Sequence, residues 1–381
     1  MKIIFVTEYF PRSAECEIRG GIEARCFYIA RELAKRHQVT IISSREPDTP
    51  KEQTINGIRI IRCGPKSEYR QTGGIKERLL FMKEAYNIGI KLDVNLVEGT
   101  NFISYLPAFY IAKAKKIPSI AWYNDVWLGK WIKNVGISGL LGEVLERFVI
   151  SRGWSYFLAN SRFTLNNLLK AGIKENRLKL IPCGVDLKRC ATINVEKKKV
   201  PTVCCVSRLV RYKKIDVLIK AISQIKNEIP RIKLHIIGTG PELRNLQKMV
   251  KKLHLDDNVK FLGFIPSHNE VLEIIKKSHV FCLPSVVEGF GIVIIEAMAC
   301  STPYVCSDIP PLKEVTSGGI GGLLFEKENV TDLADKTLLL LRDKEVCRKC
   351  TSEGLNLAKR YDWGNIARET EIFYQETLGS L

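Results

Sequence analysis

The 381-residue chain is poor in methionine and in histidine. It has twelve cysteines, four methionines and five histidines, of which only His37 lies in the first half. The cysteines are scattered, and such spacing gives no disulfide framework. The one C-x-x-C pair, Cys347/Cys350, lies in a charged, helix-like stretch with no second pair. A structural zinc needs four ligands, so no metal site is expected there. Cys204, Cys205 and Cys282 sit in apolar, strand-like runs and read as small buried hydrophobes. No apolar run approaches the ~18–20 residues of a membrane span. The N-terminal Met1–Val6 run turns polar at Thr7-Glu8, too short for a signal peptide. A reducing, cytoplasmic setting is the expectation. There is no G-x-x-x-x-G-K-[ST] loop, which excludes an ordinary P-loop ATPase. Gly238-Thr239-Gly240-Pro241 follows a strand, but Leu243 stands where a dinucleotide fingerprint needs its third glycine. Helix-turn-helix, finger and ribonucleoprotein signatures are also absent.

Acidic charge is in short supply. Lys+Arg number 59 against 41 Asp+Glu, a net charge of +18. Residues 1–185 carry +12 of it and residues 186–381 carry +6. The excess favours an anionic partner: nucleic acid, an acidic membrane surface or a phosphorylated substrate. A hydrophobic content of 45% fits an ordinary globular protein, and the length fits about two domains.

Short apolar runs alternate with helical spacings. Ile3–Val6, Val39–Ser43, Val94–Val97, Ser119–Tyr123 and Trp154–Ala159 read as strands, and Ile55-Asn56-Gly57-Ile58 reads as a hairpin turn. A polar stretch ending at Lys199 reads as a linker. The alternation then restarts with Thr202–Val206, Lys233–Ile237, Val259–Leu262, Val280–Leu283 and Pro303–Cys306. The pattern predicts an α/β protein of two facing, doubly wound domains with a cleft between them, over residues 1–186 and 200–360. Residues 361–381 should form a final helix packing on the first domain. In such sheets ligands bind at the carboxyl ends of the strands.

Four segments in those loops can carry chemistry. Gly20-Gly21 opens a helix after the first strand, where bare backbone amides can meet an anion; the alternative is a loop that needs positive φ. Arg208 and Lys213 follow Thr202–Val206 and suit a diphosphate, if they are not simply solvated cations. Gly238 and Gly240 lie in the next loop. In Pro284–Ala299, Glu288 precedes Gly289-Phe290-Gly291-Ile292, and Glu296 follows on the helix. Two carboxylates can each accept hydroxyl hydrogen bonds from a polyol, and the amides at the helix start can bind phosphate oxygens.

Taken together and in order, these motifs resemble the retaining, nucleotide-sugar-dependent glycosyltransferases of family four, which have two Rossmann-like domains of the GT-B type. The motifs are Gly20-Gly21 with Glu23, Asn160-Ser161, Ile181–Asp186, Ser207-Arg208-Leu209 with Lys213, Gly238–Pro241, and Glu288 through Glu296. The resemblance implies that Glu296 holds the nucleotide ribose and Glu288 the donor sugar. It implies that amides at Gly20, Gly21 and Gly289–Ile292 face the sugar and diphosphate, with Gly238 and Gly240 on the donor side. Arg208 and Lys213 would neutralise the departing diphosphate, so neither a metal nor a cofactor is expected. Asn124 stands where the family often has a histidine, so Asp125 becomes the group expected to orient sugar or acceptor, catalytic alongside Arg208, Lys213 and Glu288. Lys214 and Ser301 replace usual glycines, and the Ile309–Glu314 loop lacks a glycine pair; these departures bear on donor preference and activity.

The implied reaction is transfer of a sugar to a glycan, glycolipid or lipid-linked hydroxyl with retention. Glu23, Asn124, Trp127 and Trp131 are the acceptor-side candidates in the more basic first domain. Ile75–Lys83 and Trp127–Lys133 mix cations with apolar side chains, which suits an anionic membrane face or an ordinary amphipathic helix. A sugar-nucleotide epimerase on the same fold and a basic nucleic-acid-binding protein are the competing readings. Nothing in the sequence sets the oligomeric state.

Overall fold

The structure, a computed structural model, describes residues 1–13, 17–69, 74–137 and 139–379. The chain divides into two compact units, Met1–Cys183 with Trp363–Leu381, and Gly184–Asp362. Among the described residues no helix is long and apolar enough to cross a membrane.

The first unit is built on β1 (Lys2–Val6), β2 (Gln38–Ser44), β3 (Glu52–Ile55), β4 (Ile58–Cys63), β5 (Leu96–Gly99), β6 (Ser119–Tyr123), β7 (Tyr156–Ala159) and β8 (Leu178–Leu180). They form one sheet in the order β3-β4-β2-β1-β5-β6-β7-β8. All neighbours are parallel except β3 and β4, the hairpin, whose Asn56 and Gly57 both have positive φ. Such a two-residue turn matches the twist of its strands. β5 and β6 are buried at every position, as helix-covered parallel strands require.

The second unit is an all-parallel sheet of β9 (Thr202–Val206), β10 (Lys233–Ile237), β11 (Val259–Gly263), β12 (Val280–Leu283), β13 (Tyr304–Ser307) and β14 (Gly322–Phe325). Its order is β11-β10-β9-β12-β13-β14. Cys204, Cys205 and Cys282 are fully buried, and burial pushes the Cys204 and Cys282 thiols up to about 12. The chain ends of this unit are tied together: Val185 N donates to Tyr361 O at 2.7 Å. The charged stretch read as a linker is fixed to this unit, because Lys197 Nζ donates to Ser278 O at 2.6 Å and to Thr302 Oγ1 at 2.9 Å.

The helix Trp363–Gly379 belongs to the first unit and packs on the helix Gly21–Leu33. Residues 380 and 381, the end of the expected last segment, lie outside the described residues. Tyr28 stacks on Trp363 at 5.3 Å between ring centres. Beneath this contact, Arg25 pairs with Glu98 of β5, and Tyr374 OH donates to the same carboxylate. Arg25 and Glu98 are 2% and 0% exposed, so neither charge has water to fall back on. Burial opposes the Arg25 charge, but the Glu98 carboxylate beside it more than compensates and keeps the guanidinium protonated.

Removing one partner of a buried pair strands the other charge. Glu98→Ala is expected to cost about 3–5 kcal/mol in urea unfolding, and Tyr374→Phe about 1 kcal/mol, the net value of one hydrogen bond.

Candidate active site

In the second unit the site loops leave the carboxyl ends of β9, β10 and β12, three adjacent strands. The loop after β9 carries Arg208 and a single 3-10 turn, Arg211–Lys213. Two glycines of the loop after β10 hold it in place. A Cβ on Gly238 would lie 2.0 Å from Ser207 O, and one on Gly240 would lie 2.3 Å from Leu209 O. The two loops exchange backbone hydrogen bonds, Leu209 N to Thr239 O at 2.9 Å and Glu242 N to Leu209 O at 3.0 Å. These glycines therefore have a packing reason to be glycine, and through it they position Arg208.

Arg208 is exposed, and its Nη2 donates to Tyr212 OH at 2.8 Å. Tyr212 O in turn accepts from Val286 N at 2.9 Å, which joins this loop to the one after β12. Lys213 Nζ lies 2.5 Å from Glu288 Oε1, and both side chains are close to 10% exposed. The structure thus brings together two of the residues read as catalytic.

The helix Ile292–Ala299 begins after Gly291, whose φ is +96°. A Cβ there would also sit 2.6 Å from Leu312 Cδ2, so only glycine fits. The half-buried Ile292 is the first helical residue, beside the half-buried Gly289 and the buried Phe290. The Phe290 ring packs edge-on against Tyr361 at 5.8 Å, which leaves its backbone for the helix start. Glu296 sits on the second turn, 7% exposed, with Oε1 3.2 Å from His268 Nε2. His268 opens the helix His268–Lys277 behind a Ser267 cap. A separation of 28 residues hid it from any local pattern; its rarity was the only signal. Tyr212 was overlooked for a similar reason, being one aromatic between two cations.

The two departures from the usual glycines fall on strained backbone. Lys214 has φ +51° at the start of the helix Ile215–Glu228, and Ser301 has φ +54° just past the end of Ile292–Ala299. Glycine is the ordinary choice at such positions. Both replacements have a backbone explanation that does not involve a ligand.

In the first unit, Gly20 has extended backbone (φ −176°), and a Cβ there would meet nothing within 4 Å. Neither Gly20 nor Gly21 has positive φ. The conformational explanation for this pair therefore falls away, and room for a close ligand stays. Glu23, in the first turn of the helix, accepts from Arg19 N at 2.8 Å and from Arg19 Nη2 at 2.8 Å. Arg19 also holds the buried Glu46. Burial pushes the Glu23 carboxyl up while Arg19 pulls it back.

The other acceptor-side candidates follow β6, Asn124 and Trp127 in its loop and Trp131 at the start of the next helix. Asn124 O accepts from Thr164 Oγ1 at 3.3 Å, and the buried Asp125 lies 3.8 Å from Lys130 Nζ. Glu146, 2% exposed, fastens the loop from below. It accepts from Trp127 N at 3.1 Å and from Trp131 Nε1 at 2.7 Å. The Trp127 and Trp131 rings meet at 5.3 Å. Burial pushes the Glu146 carboxyl up to about 7, with the two tryptophan hydrogen bonds pulling it down and Asp125 adding to the rise. Sequence reading missed Glu146 because it lies in an apolar helix 15 residues beyond Trp131.

Two Rossmann-like sheets, the second with Arg208, Lys213, Glu288 and Glu296 along its carboxyl edge, make the GT-B type of architecture. The model of "Glycosyltransferase Family 4" matches residues 19–189, and that of "Glycosyl transferases group 1" matches residues 191–356. Together they span most of the chain, which belongs to the family-four-type glycosyltransferases. It is 25% identical over 360 residues to the gpi3 subunit of phosphatidylinositol N-acetylglucosaminyltransferase of Schizosaccharomyces pombe, covering 93% of this chain and 77% of that one. It is also 25% identical over 319 residues to an N-acetylgalactosaminyltransferase of Campylobacter jejuni named for a diphospho-undecaprenol acceptor, covering 82% and 84%. The fold matches that of Anabaena HepE, crystallised with UDP-glucose, with a TM-score of 0.76 and 19% identity over the whole of both chains.

Two outcomes are expected from the site geometry. Ser301→Gly removes left-handed strain and should raise stability by about 0.5–1 kcal/mol with donor KM unchanged. Glu146 binds its proton more tightly folded than unfolded, so its contribution to stability falls as pH rises from about 4.5 to about 7. Relative to Glu146→Gln, the wild type should lose about 3 kcal/mol across that window in denaturant titrations at stepped pH.

Proposed function

We propose that the protein transfers a sugar from a nucleoside diphosphate sugar to a hydroxyl of a lipid-linked acceptor, with retention at the anomeric carbon. The observation that carries this reading is the Lys213–Glu288 contact at 2.5 Å, at the carboxyl edge of the second sheet beside Arg208 and the start of the helix Ile292–Ala299. Glu288 offers a carboxylate to donor-sugar hydroxyls. Lys213 and Arg208 offer positive charge where the sugar–phosphate bond breaks. Free amides after Gly291 supplement them, as helix starts do for anions. Glu296, held by His268, keeps its second oxygen for a ribose hydroxyl.

Charge develops on the leaving diphosphate in the transition state, and fixed cations act most strongly there. They do the work for which other transferases recruit a divalent ion. The acceptor hydroxyl attacks on the face the diphosphate leaves. Its oxygen bonds to the anomeric carbon, the carbon–oxygen bond to phosphate breaks, and the departing phosphate oxygen takes the hydroxyl proton. Asp125, beside Lys130, is the first unit's candidate for orienting the acceptor. The two relatives named for lipid acceptors, phosphatidylinositol and diphospho-undecaprenol, support a lipid-linked acceptor at an anionic membrane face. HepE with UDP-glucose supports a nucleotide-sugar donor.

Incubation with UDP-, GDP- and ADP-sugars should release nucleoside diphosphate from one class of donor, and that release separates transfer from epimerisation. Arg208→Ala and Lys213→Ala should each lower turnover by about 10²–10³-fold, and EDTA should leave the rate unchanged. Near-wild-type turnover of both variants would overturn the assignment. An inverted product anomer, read by proton NMR coupling, would overturn retention alone.

A further inference from the structure

Strands β9 and β10 end in the loops that hold Arg208, Gly238 and Gly240, and they begin at a different cavity. Its volume is about 610 Å³, within the range of small-molecule sites. It lies at the amino edge of the second sheet, opposite the edge that carries Arg208 and Glu288. Alternation along the strands builds one wall. Leu234 and Ile236 of β10 point into the core of the second unit, so Lys233 and His235 look out of the other face. In the parallel register His235 lies between Cys204 of β9 and Lys260 of β11, which puts Lys260 on that face too. Lys198 and Lys199 add two cations from the stretch before β9. Asp256, Asp257 and Asn258 line the cavity from the turn before β11.

The polar groups here are short of partners. Among the described residues Lys198, Lys199, Lys233 and Lys260 form no ion pair, and Lys233 Nζ donates to a backbone oxygen, Asp257 O, at 2.5 Å. Partial burial, with Lys277 and Lys260 nearby, pushes the Lys198 ammonium below its usual range. Like charges gathered this way repel one another, and an anion between them relieves the repulsion. Asn258 is 4% exposed, and its Nδ2 donates to Pro230 O at 3.1 Å and Ile232 O at 2.8 Å. Those two bonds fix which end of the amide is oxygen. Its Oδ1 is buried with no hydrogen-bond partner, and so is His235 Nδ1. Burial, then the charges of Lys198, Lys260 and Lys233, push the imidazole down to about 4, so near neutral pH it carries no charge and can donate or accept. A buried polar atom left unpaired is costly, and Asn258 Oδ1 takes only a donor. The Asp256 and Asp257 carboxylates are exposed, pair with none of the lysines and also take only donors. Cations for phosphate oxygens and acceptors for hydroxyls therefore line one cavity. We infer that it is a binding site for a phosphorylated polyol of about hexose-phosphate size, separate from the site of glycosyl transfer.

Titration calorimetry with glucose 6-phosphate as the probe tests this. Wild type should bind it, and the affinity should fall about tenfold or more in about 0.5 M salt. Glucose alone and inorganic phosphate alone should each bind at least about tenfold more weakly, because each offers half of the contacts. The Lys198→Ala/Lys260→Ala double variant changes exposed side chains only. It should bind the probe about tenfold or more weakly at an unchanged Tm and with unchanged release of nucleoside diphosphate. Arg208→Ala should bind the probe like wild type, which distinguishes this cavity from the donor loops. The inference is overturned by a wild type that binds no probe at low salt, by a double variant that binds like wild type, or by loss of binding in Arg208→Ala. Inorganic phosphate bound as tightly as glucose 6-phosphate would overturn the polyol assignment. Probe binding intact in a protein that turns over no nucleotide sugar would count against the transfer reading alone.

Discussion

The first unit depends on one buried charge cluster. Arg25 on the helix Gly21–Leu33 and Tyr374 on the helix Trp363–Gly379 share the fully buried carboxylate of Glu98 on β5. An unpaired ion at that depth costs several kcal/mol, so all three elements must arrive in register or the unit does not close. The same register sets where the helix Gly21–Leu33 begins, and hence where the Gly20-Gly21 amides point. The Trp122 ring 5.0 Å from Arg25 extends the constraint to β6, the strand from which the Asn124–Trp131 loop departs. A stability device in the core and the placement of two candidate site loops are one arrangement.

The second unit solves a similar problem without buried charge in its sheet. Gly238 and Gly240 let the loops after β9 and β10 touch backbone to backbone, and Tyr212 O ties the first of them to the loop after β12. Arg208, Lys213, Glu288 and Glu296 come from three separate chain segments yet share one sheet edge. Each is fixed by a partner: Tyr212, Glu288, Lys213 and His268 respectively. Such mutual fixing is what an electrostatic site needs, because groups already in position pay no reorganisation when charge develops.

Much of this was legible in the chain. Strands Ser119–Tyr123, Thr202–Val206, Lys233–Ile237 and Val280–Leu283 were readable to the residue, because largely buried parallel strands are short, mostly apolar runs bounded by breakers. The strand β14 was less visible, since a short glycine-led strand carries weak periodicity. Among the site residues, those in local motifs stood out, whereas His268, Tyr212 and Glu146 act through partners 28, 4 and 15 residues away. Lys214 and Ser301 looked like changes at a ligand site until their positive φ values gave them a backbone meaning.

By itself the sequence determined the two-sheet α/β class, the family and the candidate site loops, because period, breakers and motif order are properties of neighbours along the chain. Only the tertiary structure decided which charges meet: that Lys213 faces Glu288, that Glu296 leans on His268, that Glu146 holds Trp127 and Trp131. It alone also decided that Lys198, Lys233 and Lys260 gather around one cavity. A charge count is the same whether cations are scattered or gathered, and only packing settles which of them meet.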